Sequence, residues 1–142
     1  MKNLKALVLN SKTLKFEEAV IDNENGIVSY EFLKERLGLI EHLAGYNKNF
    51  DEHRISIWCN EEFRLKDNWE EDIDIAIIKN NQIIEVLAGT LVFCKDDYSN
   101  GETYGLTDEE IEIVKNELSR EAMVSVNRIV RPALLLDYKG WQ

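Results

Sequence analysis

The chain has 142 residues, 44% of them hydrophobic, which is material for one folded domain rather than several. Its 27 acidic side chains against 17 basic ones give a net charge of -10, a balance that argues against direct, phosphate-driven nucleic-acid binding. The longest apolar stretch, residues 86–94, is far short of the roughly 20 residues of a membrane helix, and no apolar leader opens the sequence, so a cytoplasmic protein without a membrane partner is expected.

Residues 4–9 are an apolar run broken only by Lys5, and residues 16–21 form a second run after the polar Asn10-Ser11-Lys12, so the two predict an N-terminal hairpin. Ser29 can cap a helix in which Tyr30, Leu33, Leu37, Ile40 and Ala44 recur at helical spacing, with Gly45 as its stop. Residues 46–54 predict a polar loop. Ile55, Ile57 and Cys59 then alternate with Arg54, Ser56 and Trp58, the period-2 pattern of a strand buried mainly on one face.

Asn80-Asn81 separates two β-rich segments, and asparagine tolerates the left-handed backbone that a two-residue hairpin turn requires. A long hairpin over residues 72–94, at the centre of the sheet, is predicted. With Lys79 opposite Gln82, its register sets Ile77, Ile75 and Ile73 against Ile84, Val86 and Ala88 on one apolar face. Asp72 and Asp74 then stand on the opposite face, about 6.7 Å apart at a rise of roughly 3.3 Å per residue.

Thr107-Asp108-Glu109-Glu110 matches a capping box, and Ile111, Val114, Leu118 and Ala122 supply the stripe of the helix that it opens, with Pro132 blocking continuation. Ala133-Leu134-Leu135-Leu136, Tyr138 and Trp141 make residues 121–142 too apolar for a free tail. They predict a docked final strand or a contact with a second copy of the chain, a homo-oligomer. The fold class expected is α+β, a mostly antiparallel sheet with two helices, in a single domain over residues 1–142.

The excess charge is local. Residues 1–50 carry seven basic and seven acidic side chains, residues 51–110 five against sixteen, and residues 111–142 five against four. The densest run is Asp67-Asn68-Trp69-Glu70-Glu71-Asp72-Ile73-Asp74, flanked by Glu61-Glu62 and Asp96-Asp97. Such a run is either a solvated face or a steering surface for a partner with a basic surface. On the second reading the contact residues are Asp67, Glu70, Glu71, Asp72 and Asp74, with Trp69 as an aromatic anchor.

Chemistry finds little to work with. The two histidines, His42 in the first helix and His53 in a charged string, read as surface residues, and Cys59 and Cys94 sit in apolar strand context as buried, reduced, inert thiols. Phosphate-cradling glycine loops are missing, and the acidic run does not follow EF-hand spacing. No catalytic residue, metal or cofactor is predicted. Arg128 and Arg131 are close in sequence and suited to carboxylates or phosphates. They predict an internal ion pair with the acidic middle or, alternatively, an anionic, nucleotide-like ligand site in an oligomeric binding module.

Leu4-Lys5-Ala6-Leu7-Val8-Leu9, Asn60-Glu61-Glu62, Leu87-Ala88-Gly89-Thr90-Leu91-Val92 and Gly105-Leu106-Thr107-Asp108-Glu109-Glu110 together resemble the domain-of-unknown-function family 3846 over roughly residues 4–118. That family is found mainly in phages and bacterial mobile elements and has no agreed catalytic residues to transfer. Residues 63–82 are longer and more acidic than its usual spacer, and residues 120–142 stand as an addition. The resemblance and the charge together imply a non-enzymatic accessory protein that binds a host macromolecule, such as a defence or nucleic-acid-binding protein, with inhibition as one consequence.

Overall fold

The computed structural model describes residues 4–21 and 25–138, so Trp141 lies outside the described residues. The fold is a mostly-sheet α+β architecture. Strands β1 (Lys5–Asn10) and β2 (Lys15–Val20) form the N-terminal hairpin, followed by α1 (Tyr30–Leu37), β3 (Ile40–Leu43), α2 (Lys48–Glu52) and β4 (Ile55–Asn60). Two 3-10 turns, Phe63–Leu65 and Trp69–Asp72, lead to β5 (Ile73–Lys79), β6 (Gln82–Ala88), β7 (Leu91–Asp97) and β8 (Glu102–Tyr104). Helix α3 (Asp108–Glu117) precedes a final pair, β9 (Arg120–Val126) and β10 (Ile129–Asp137).

The strands divide into two sheets. One has the order β2-β1-β7-β4-β3, with β8 added to β7, and all its pairs are antiparallel. The other has the order β6-β5-β10-β9, in which β10 runs parallel to β5 and the remaining pairs are antiparallel. The main core is filled from both: Leu7, Leu9, Ile57 and Phe93 from the first, Ile75, Ile77, Leu87, Leu134 and Leu136 from the second, with Ile111 and Val114 of α3. A strand buried on both faces loses its alternation. Accordingly Leu91, Val92, Phe93 and Cys94 of β7 are all inaccessible, Val92 and Cys94 packing with Leu33 and Leu37 of α1.

Several expectations change in detail. Helix α1 ends at Leu37 because Gly38 takes φ 81°, its N–H donating to the Lys34 carbonyl at 2.8 Å, so Ile40 and His42 lie on β3 instead of in the helix. The segment expected as loop contains α2, where the Asn47 carboxamide accepts from the Asn49 and Phe50 N–H groups. Three α-helices are therefore present among the described residues, against two expected. Helix α3 has the predicted capping box, but Leu118 caps it and Ala122 belongs to β9, whose hairpin with β10 turns at Asn127-Arg128, both left-handed.

The β5–β6 hairpin turns at Asn80-Asn81 and pairs Lys79 with Gln82 and Ile78 with Ile83, after which a bulge intervenes. Ile77 then faces Glu85, Ala76 faces Val86 and Ile75 faces Leu87. Ile84, expected inward, is displaced by that bulge and is 47% exposed, whereas Ile73, Ile75, Ile77 and Val86 are buried. Nor is the whole hairpin central: β6 is an edge strand, β5 and β10 are interior, and β7 belongs to the other sheet.

Candidate interaction surface

The acidic run does not lie along a strand. Residues Trp69–Asp72 form a 3-10 turn started by Asn68, which adopts φ 59°. The turn spends its charges locally: Lys66 Nζ donates to Asp72 Oδ2 at 3.0 Å, and Asn127 Nδ2 donates to Glu70 Oε2 at 3.0 Å. Trp69 is half-buried, its ring 5.7 Å from that of Phe63 in an edge-on contact, packed over the Ile73, Val86 and Ala88 side of the second sheet. Its ring forms part of a wall of the fold. Asp67 and Glu71 remain exposed.

Asp74 is the clearest correction. It occupies a second bulge of β5, between the pairs Ile73–Ala88 and Ile75–Leu87, and has no accessible surface. Neither carboxyl oxygen has a hydrogen-bond partner. Burial pushes its pKa up to about 9, opposed by the Arg131 guanidinium and reinforced by Asp72. The nearby Gly89 N–H opposes it only weakly, because that donor is already bonded to the Asp72 carbonyl at 2.9 Å. Asp74 is a neutral acid at pH 7, not a surface charge, and it does not share an exposed face with Asp72.

The two arginines have different surroundings. Arg128 is exposed in the β9–β10 turn, while Arg131 donates from Nη2 to the Ser11 carbonyl and from Nε to the Pro132 carbonyl, both at 3.0 Å. Arg131 also acts on Asp74 through its charge, so it meets the acidic middle at a buried acid.

A further polar constellation joins β3, β4 and β7. His42 Nε2 lies 2.7 Å from Asp96 Oδ2, and Ser56 Oγ donates to Asp96 Oδ1 at 3.0 Å. The carboxylate stands between serine and imidazole, so the contact that activates a serine nucleophile is not made. Cys59 and Cys94 are free and buried, and burial raises both thiols, Cys59 to about 12. Among the described residues no group of three or more His, Cys, Asp or Glu is arranged to hold a metal, and no helix is long and apolar enough to cross a membrane.

Where the edge strands of the two sheets approach, they border a groove of about 400 Å³. Glu41 and Leu43 of β3, and Glu85 and Leu87 of β6, line it as same-face pairs two residues apart, with Tyr46, Cys59, Phe63 and Leu65 between them and Glu61 and Glu62 at its rim. Arg64 reaches into it, pairing with Glu85 and donating to the Val86 carbonyl at 3.4 Å, its guanidinium 4.6 Å from the Phe63 ring centre. Glu85 in turn accepts from the Val86 N–H at 2.9 Å, so both backbone groups of Val86 on this edge are satisfied.

Glu41, Glu61 and Glu62 are exposed, and none has an ion-pair partner among the described residues. Within the groove the charges of Glu41 and Glu85 act on two neighbouring groups. The Tyr46 hydroxyl is raised by burial and then by Glu85 and Glu41, and the Cys59 thiol by burial and then by Glu41, with Arg64 opposing in each. In the charge count Glu61-Glu62 is only a flank of the run, and nothing in the sequence pattern marks Glu41 or Glu85. The available signal was the lack of any cation beside Glu61-Glu62 before Arg64.

Comparison with curated proteins and with solved structures gives no match. A family model described as domain of unknown function (DUF3846) matches residues 4–119, and the chain belongs to that family.

Proposed function

We propose that the chain is a non-enzymatic accessory protein of a phage or mobile element, acting in the host cytoplasm, that binds a basic surface of a host macromolecule and inhibits it by occupying that surface. The observation that carries this reading is the excess of sixteen carboxylates over five cations in residues 51–110. Lys66, Arg64 and Lys95 are each committed to one carboxylate, Asp72, Glu85 and Glu110, and Lys5 pairs with Asp108, which leaves Glu61, Glu62, Asp67, Glu71, Glu102 and Glu109 exposed. An unbalanced acidic face raises the encounter rate with a basic partner and turns other acidic surfaces away. A defence enzyme or regulator that handles nucleic acid presents such a partner face.

The test is retention of host proteins on the immobilised chain while salt rises from low values to about 0.5 M, where charges more than a few ångströms apart are screened. A discrete basic protein held at low salt and released progressively is the expected result. Retention that does not depend on salt, or of no basic protein, refutes the reading.

A further inference from the structure

We infer that the groove between β3 and β6 is the specific contact point of this acidic surface and that it takes an arginine-bearing segment of a partner protein; the inference rests on the proposed function above. The groove has two chemistries at once. Leu43, Phe63 and the Tyr46 ring, partly buried over the core residue Leu87, offer apolar surface for an alkyl stem, and Leu65, at 77% exposure, extends that surface to solvent. Glu41, Glu61 and Glu62 offer carboxylates that nothing else in the described chain neutralises. A long side chain with a cationic head satisfies both, and simple anions, nucleotides and nucleic acid are repelled.

Arginine is favoured over lysine by what the groove already holds. Arg64 of the chain itself lies there, charge-paired with Glu85, bonded to a backbone carbonyl and stacked on Phe63, which is how a guanidinium uses its planar fork and its weak hydration. After that internal pair is counted, the groove keeps three uncompensated carboxylates beside it. Because Val86 already has its outward N–H and carbonyl satisfied, a guest is held at this point of the β6 edge by its side chains rather than by strand addition.

Calorimetric titration of the full chain with a capped tetra-arginine peptide tests this, using two variants that lose the same three charges. One is Glu41→Gln/Glu61→Gln/Glu62→Gln in the groove and the other Asp67→Asn/Glu70→Gln/Glu71→Gln in the acidic run. If the groove is the site, its variant binds the peptide about tenfold more weakly, while the other loses less than about threefold, the share expected from long-range attraction alone. Equal losses, or a larger loss in the acidic run, overturn the groove and leave the acidic-surface reading standing. Salt-independent retention of host proteins by the native chain, with neither variant changing it, overturns the acidic-surface reading instead. Spermidine competing as well as tetra-arginine at equal ionic strength overturns the choice of a protein segment as occupant.

Discussion

Two acidic regions of this chain, one continuous in sequence and one assembled by the fold, meet opposite fates. In residues 67–74, Asp72 is paired with Lys66, Glu70 is bonded by Asn127 and Asp74 is sealed in a bulge without a partner. In the groove between β3 and β6, Glu41, Glu61 and Glu62 stay exposed and unpaired around apolar walls. The denser run on paper is therefore the more compensated one in space. A charge count in sequence measures long-range field, and only the fold decides which carboxylates a partner can reach.

Adjacent positions of β5 break or sharpen that contrast most strongly. Ile75→Ala removes a fully buried side chain from the main core and should cost about 2–5 kcal/mol in denaturant unfolding. Its neighbour should act in the opposite direction. Because the folded pKa of Asp74 is about 9, above the ordinary unfolded value, the folded state holds a proton that the unfolded state has released between about pH 4 and pH 9. Stability is thus lost as pH rises across that window.

Asp74→Asn should remove a slope of about 1.4 kcal/mol per pH unit and stabilise the protein by about 2–4 kcal/mol at pH 7, with no gain at pH 4. Urea titrations at the two pH values check this, and an unchanged slope would mean that Asp74 is ionised in the fold. A smaller effect is expected where a carboxylate has been fully accommodated. Glu110, whose burial is outweighed by Lys95 and by the two bonds from Thr107, is held below its usual range. Thr107→Ala should cost about 1 kcal/mol in the same assay by breaking the capping box. Smallest of all, Lys66→Ala should change stability by no more than about 1 kcal/mol, because the Lys66 end of its pair with Asp72 is solvent-exposed.

The features legible in the sequence are those set by local chemistry: the first hairpin, the Asn80-Asn81 turn and the Thr107–Glu110 capping box. Those decided by longer range were not. Ile40 and Ala44 fit a helical period as well as a strand's, and the left-handed Gly38 between the halves settled the matter. In residues 120–126 the strand alternation was masked by the preceding helix, with which Ala122 is in phase. No residue pattern announces the bulge that buries Asp74, since alternation alone puts it on the face opposite Ile73 and Ile75. The groove was out of reach for a related reason. Its walls come from positions 41–46, 59–65 and 85–87, which share no motif and meet only because the two sheets bring their edges together.

The central claim is that the reachable acidic site is the groove and not the denser acidic run. Backbone amide shift mapping during titration of the native chain with tetra-arginine tests it most directly. The account predicts saturable shifts concentrated at Glu41, Leu43, Tyr46, Glu61, Leu65 and Glu85, with small changes across residues 67–72. Saturable shifts centred on Asp67, Glu70 and Glu71, with the groove residues unmoved, would contradict it.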